Sequence, residues 1–246
     1  MSVAPQPGDL TASATLVRRP AQELLHGCVA IQESGGGWVR PQRFSDAQIR
    51  ALGSVSAWHP GLYRAMARAT AGISLELETD SSELALELQL DPEPAGTRAM
   101  LDHVTKPVTV GVGGKMSVGD TTPSSHDGFG IEVDGRLRMP VMPQLGTRTL
   151  SLCVDDPEKS PAAGVTQLPG LGAAHRVRIW LPCLRGCALR SVVGNGTKIE
   201  ALPMRRQLLV LGDSIAQGFV CGDPGQSWPA LLARDLDLDL VNQGIG

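Results

Sequence analysis

The residues best placed to do chemistry lie in the run Leu208-Leu209-Val210-Leu211-Gly212-Asp213-Ser214-Ile215-Ala216-Gln217-Gly218. Four apolar residues followed by Gly-Asp-Ser read as a buried parallel strand and the turn leaving its carboxyl end. Ligands of open α/β sheets bind just outside the carboxyl ends of strands, where Ser214 would stand. A serine hydroxyl needs a base to take its proton, and the oxyanion it creates needs donors already aimed at it. Gly212 and Gly218 permit a tight turn, and a helix beginning near Ser214 would point free N–H groups at that oxyanion. Ser214 is the candidate nucleophile.

The elements that must position it follow directly. Gln226-Ser227-Trp228-Pro229 opens a helix with Ser227 as its cap, and Ala230, Leu231, Leu232, Ala233 and Leu236 supply an apolar face. Leu238-Asp239-Leu240-Val241-Asn242 reads as a second strand, which makes a strand-helix-strand crossover unit. The α/β-hydrolase elbow requires Gly-x-Ser-x-Gly, and position 216 is alanine.

Gly212-Asp213-Ser214-Ile215 after an apolar strand, with Trp228-Pro229-Ala230-Leu231-Leu232 and Asn242-Gln243-Gly244-Ile245-Gly246 beyond it, resembles the opening of a GDSL/SGNH hydrolase. The resemblance implies a serine esterase or lipase acting on an ester or acetyl group of a small molecule or carbohydrate, with no cofactor and no metal. It makes Ser214 both nucleophile and backbone donor of the oxyanion hole. The second donor glycine is Gly246 or the residue after it. The family draws an asparagine from a middle block, and a histidine base oriented by aspartate from an Asp-x-x-His block. The chain stops at Gly246, before both blocks, so it reads as a fragment of a longer frame. Removing a triad histidine costs on the order of a millionfold in turnover. Each lost oxyanion donor costs roughly a hundred- to a thousandfold, so this stretch alone is expected to be nearly inert.

The region before this unit has a different rhythm. Ile73, Leu75 and Leu77 alternate with Ser74, Glu76 and Glu78, and Leu84, Leu86, Leu88 and Leu90 alternate with Ala85, Glu87 and Gln89. Period two predicts two half-buried strands joined through Thr79-Asp80-Ser81-Ser82. Further strands are expected over 99–104, 107–112, 129–134, 148–154, 175–181, 187–193 and 197–202, with turns at Asp134-Gly135 and Asn195-Gly196. Ser45 caps a short helix over Asp46–Leu52. Pro60-Gly61-Leu62-Tyr63, the strand pair around Leu75 and Leu86, Gly130–Gly135 and His175–Pro182 also resemble the β-sandwich that precedes the hydrolase domain in one group of SGNH enzymes.

The expected fold class is therefore mixed. A weakly packed leader covers 1–33, an antiparallel, jelly-roll-like β-sandwich covers 34–202, and 203–246 form the first β-α-β part of an α/β/α, flavodoxin-like SGNH domain.

The whole composition bounds the rest. With 246 residues, 42% hydrophobic and 19% charged, the chain can build a core, but only 3% are aromatic, which leaves little stacking surface for bases or sugars. A net charge of -3 without a basic run gives no footprint for nucleic acid, and no stretch approaches the roughly 20 apolar residues of a membrane span. The pairs Arg18-Arg19 and Arg205-Arg206 read as solvated. Cys28, Cys153, Cys183, Cys187 and Cys221 are odd in number and scattered, which predicts free thiols in a reducing, cytoplasmic compartment. Cys183 and Cys187 have no second pair to complete a metal site.

His26, His59, His103, His126 and His175 all precede the nucleophile. Ser125-His126-Asp127 cannot converge as a triad, because adjacent side chains diverge. Gly111-Val112-Gly113-Gly114-Lys115 fails the phosphate-loop spacing, and Asp155-Asp156-Pro157-Glu158 reads as an acidic turn. The competing reading is a carbohydrate-binding or interaction module in which the sandwich works and the hydrolase segment is vestigial. Oligomeric state is left open by the sequence.

Overall fold

Alternating residues become two antiparallel sheets that share one core. The computed structural model describes residues 16–54, 56, 60–94, 127–155 and 174–246. The first sheet contains β1 (Val17–Pro20), β3 (Ala30–Ser34), β4 (Trp38–Gln42), β6 (Glu83–Leu90), β9 (Thr149–Cys153) and β11 (Cys187–Gly194). Its order is β3-β4-β11-β6-β9, with β1 also on β11. The second contains β2 (Leu25–His26), β5 (Ser74–Thr79), β7 (Gly130–Val133), β8 (Arg136–Leu137), β10 (His175–Trp180) and β12 (Ile199–Ala201). Its order is β12-β5-β10-β7-β8, with β2 also on β5.

The inward residues of both sheets, among them Leu75, Leu77, Val177 and Ile179 on one and Leu84, Leu86, Leu88, Leu189 and Val192 on the other, form a single buried cluster. The predicted strands at 73–78 and 84–90 thus appear as β5 and β6. Those expected at 99–104 and 107–112 lie outside the described residues, as do Gly111–Lys115, His59, His103, Ser125 and His126.

Turn chemistry agrees with the local sequence. Asp134 and Gly135 take φ of 51° and 75°, the left-handed pair that a two-residue hairpin turn requires, and join β7 to β8. Asp80 accepts from the backbone N–H groups of Thr197 and Lys198, tying the β5–β6 connection to the turn before β12. Helix α1 (Asp46–Leu52) starts with a full capping box, Ser45 and Gln48 each satisfying the other's backbone N–H. A second helix, α2 (Pro60–Met66), follows it, and Arg64 donates to the carbonyl of Gly53.

Two expectations need correction here. Residues 16–33, expected to pack weakly, carry β1, β2 and most of β3 and place Ala21, Leu24 and Leu25 in the shared core. Their apolar residues are spaced to fill gaps between larger strands, which short-window periodicity does not register. The polar side of β5 is also not solvated: Ser74 and Glu76 are buried, Glu76 to 1% exposure. The cause is the remaining unit, which lies against that face.

This unit consists of β13 (Gln207–Gly212), α3 (Ser214–Gln217), α4 (Trp228–Asp235) and β14 (Asp239–Gly244). β13 and β14 pair in parallel, Gln207 opposite Asp239 and Gly212 opposite Gly244. Trp180 of β10 packs with Val210, Ala216, Ala230, Ala233 and Leu240 in a second small core. Beside it runs a polar seam. Arg205 donates to both oxygens of Glu76 at 2.7 and 2.8 Å and lies 2.7 Å from Asp239, while His26 Nδ1 is 2.9 Å from Asp239. Arg178 adds an ion pair to Glu76 at 2.9 Å. Arg205 is therefore not a solvated charge.

Candidate active site

Ser214 stands at the carboxyl end of β13, as the first residue of α3. The local sequence forces this turn. A Cβ on Gly212 would sit 2.6 Å from the Ala216 Cβ, so only glycine lets the strand run directly into the helix. Asp213 is the N-cap, and its carboxylate accepts from the N–H groups of Ile215 and Ala216. With those two N–H groups taken, the N–H of Ser214 remains without a partner among the described residues. Gly218, at φ 101°, closes the helix in the left-handed conformation.

The parallel register brings the end of β14 alongside. Asn242 donates through Nδ2 to the Ala216 carbonyl at 2.7 Å and accepts from the Gly244 N–H at 2.9 Å, while Ile245 N–H donates to the Gly212 carbonyl at 2.9 Å. A Cβ on Gly244 would lie 2.6 Å from Gln217 N, and one on Gly246 would lie 2.7 Å from Ser214 N and 3.3 Å from Ser214 Cβ. The glycines of Asn-x-Gly-x-Gly are thus places where two backbones touch. Ser214 and Gly246, both singled out from the sequence, are brought together.

A third group supports this corner from below. Arg43 is fully buried and donates to the carbonyls of Met66, Ala69, Asn242 and Gly244, with its guanidinium 4.8 Å from the Phe44 ring centre. Burial pulls this guanidinium down to about 9, opposed by the neighbouring Cys183, so it stays charged at neutral pH. Sequence reasoning missed Arg43 and the pinning role of Asn242. Arg43-Phe44 sits beside no acidic residue that would mark it, and its acceptors are backbone atoms.

No described histidine serves Ser214. His26 bonds Asp239 at the amino end of β14, opposite the Ser214 corner, and His175 Nδ1 lies 2.7 Å from Asp134 beside the β7–β8 turn. His26, Glu76 and Asp239 bring ligand atoms within 4.8 Å of one another, but the Arg205 guanidinium already occupies the space a cation would take. That guanidinium supplies the positive charge the two carboxylates face. Burial raises the Glu76 and Asp239 carboxyls, but the charges of Arg178, His26 and Arg205 on Glu76, and the His26 and Arg205 contacts on Asp239, leave both below their ordinary values.

Asp127 accepts from the N–H groups of Cys183 and Leu184 and is pushed up to about 7 by burial, against the pull of Arg185. It is a buried strut for the 181–186 loop. All five cysteines are free; Cys183 and Cys187 are buried thiols, with Cys187 pushed up to about 12 by burial.

Two details differ from expectation. Ser227 precedes α4, yet its hydroxyl donates to the Pro224 carbonyl and caps nothing. The run 208–211 is a parallel strand, but only Val210 is fully buried, while Leu209 and Leu211 are exposed at 56% and 70%. β13 pairs on one edge alone and is covered on one face. No helix among the described residues is long and apolar enough to cross a membrane. A cleft of about 760 Å³ lined by Arg40, Arg68, Asp91 and Arg185 lies apart from Ser214, and no aromatic ring lines it among the described residues.

No family model matches the chain, and no curated protein matches it. Solved structures do. The salicylyl-acyltransferase SsfX3 from a tetracycline biosynthetic pathway aligns with 24% identity over 89% of this chain and 50% of its own, at a TM-score of 0.55. A family two carbohydrate esterase from Cellvibrio japonicus aligns with 13% identity over 95% of this chain and 52% of its own, at a TM-score of 0.51. The fold is of the SGNH-hydrolase type. The chain spans about half the length of the two matched structures. Within this SGNH-type fold, the antiparallel sheets hold twelve of the fourteen strands among the described residues.

Proposed function

We propose that the chain belongs to a serine ester hydrolase of the GDSL/SGNH type, with an antiparallel β-sandwich over 34–202 and the opening β-α-β unit of a flavodoxin-like domain from about residue 203. The observation that carries the reading is the corner where Ser214, with an unpartnered N–H, meets Gly246 at the carboxyl ends of two parallel strands. Ser214 Oγ attacks the carbonyl carbon of an ester or acetyl group. The Ser214 N–H, joined by that of Gly246 or of the residue after it, receives the oxyanion. A histidine from a block that these residues do not include takes the Ser214 proton and passes it to the leaving alcohol. Water then releases the acid from the acyl-enzyme.

The charged seam serves this site by fixing the β13–β14 unit on the second sheet, and Arg43, which follows β4 of the first sheet, by holding the carbonyls near the end of β14. The carbohydrate-binding alternative gains no support from the cleft, since a sugar finds no ring there to stack on.

The test is hydrolysis of a short nitrophenyl ester by a protein that includes the histidine block, and by its Ser214→Ala variant. Turnover is expected to fall by up to about a millionfold. Undiminished hydrolysis in the variant overturns the assignment.

A further inference from the structure

Cys183 and Cys221 come from distant parts of the chain and meet behind α3. Cys183 lies in the loop between β10 and β11, packed with Ala71, Leu184 and Phe219, and Cys221 packs against the same cluster three residues after the α3 cap. Both sulfurs lie against the same point, within 3.3 Å of where a Cβ on Gly218 would stand. Gly218 leaves the room for this contact. A Cβ at that position would lie 2.7 Å from Cys183 Sγ and 3.3 Å from Cys221 Sγ, and the left-handed φ of 101° keeps the position suited to glycine. The two segments are already joined at this point, because Gln217 donates to the Cys183 carbonyl at 2.9 Å.

We infer that Cys183 and Cys221 form a redox-modification site, closed to a disulfide by a peroxide, that locks the segment after the Ser214 helix to the 181–186 loop. This does not rest on the hydrolase reading.

The order of steps follows from access. Cys221 is half-exposed and reacts first; Cys183 is 3% exposed and waits. The Cys221 thiolate attacks one peroxide oxygen, the O–O bond breaks, and a sulfenic acid forms as hydroxide leaves. Cys183 Sγ then displaces hydroxide from the Cys221 sulfur, forming the S–S bond, and its proton leaves with that hydroxide as water. Two electrons pass from the thiols to the peroxide, which ends as two molecules of water. The neighbouring Cys221 thiol and burial hold the Cys183 thiol well above its ordinary value, which keeps it protonated until a sulfenic partner stands beside it. Cys28 and Cys153 are not paired with either, and the exposed Cys153 reports whether the oxidant reached the protein.

The experiment is treatment of the folded protein with hydrogen peroxide, blocking with N-ethylmaleimide after denaturation, and peptide mass mapping without reductant. The expected result is a linked pair of peptides containing Cys183 and Cys221, lost on adding dithiothreitol. In Cys183→Ser the link is absent and Cys221 proceeds to sulfinic acid. Two results overturn the inference: wild-type Cys221 oxidised to sulfinic acid without a link, or both thiols still free when Cys153 is fully oxidised. The wild-type mapping decides the matter even if a variant fails to fold.

Discussion

The two-sheet region and the β13–β14 unit bury themselves by different means. Each sheet presents leucine, isoleucine and valine at every second position to the other, so the core closes with apolar contacts alone. The β13–β14 unit has a small core of Trp180, Val210, Ala216, Ala230, Ala233 and Leu240, and it leaves Leu209, Leu211, Ile215, Trp228 and Leu236 exposed. It is held to the second sheet by charge, with Arg205 between Glu76 and Asp239 and His26 on Asp239, while Arg43, which follows β4 of the first sheet, holds the carbonyls of β14. The region that carries the proposed chemistry is thus the one fastened by polar groups, whose directional bonds fix position as well as contact. In the proposed mechanism Ser214 must meet its oxyanion donors within tenths of an ångström, and such fastening serves that need.

Breaking the seam should separate the regions most strongly. Arg205→Met leaves Glu76 and Asp239 facing each other without their shared cation, and removing one partner of a buried pair costs about 3–5 kcal/mol. Chemical denaturation should then show the β13–β14 unit melting ahead of the sheets, read by fluorescence of Trp228. Arg43→Met strips donors from four buried carbonyls, and since each orphaned group costs about 1–3 kcal/mol, a loss of at least about 4 kcal/mol is expected, with partial recovery in Arg43→Lys.

The seam also titrates. Glu76 and Asp239 are held below their ordinary values in the folded protein, so their contribution is complete above the ordinary carboxyl range and disappears as pH falls through the lowered values. Hydrogen exchange below about pH 4 should accelerate in β13 and β14 before β5 and β6. The smallest effect tests the other region: Ser45→Ala removes half of the α1 capping box and should cost about 1 kcal/mol without touching the seam.

What the sequence made legible follows the same division. β5 and β6 were readable because period two is a local signal, and α1 because Ser45 and Gln48 are three residues apart. The Ser214 turn was readable because a strand, two glycines and a cap fall within eleven residues. The seam was not. His26 and Asp239 are 213 positions apart, and Arg43 meets backbone atoms that carry no residue identity. The same contacts explain why Glu76 is buried on a face that its alternation marks as solvated, and why Arg205 is not a free surface charge.

The central claim is that Ser214 is an activated nucleophile. The most direct measurement is labelling of the folded protein, carrying the histidine block, with a fluorophosphonate, followed by peptide mapping. The account predicts one phosphonyl adduct on Ser214 and none in Ser214→Ala. An adduct on a different serine, in a protein that still hydrolyses the nitrophenyl ester, would contradict it.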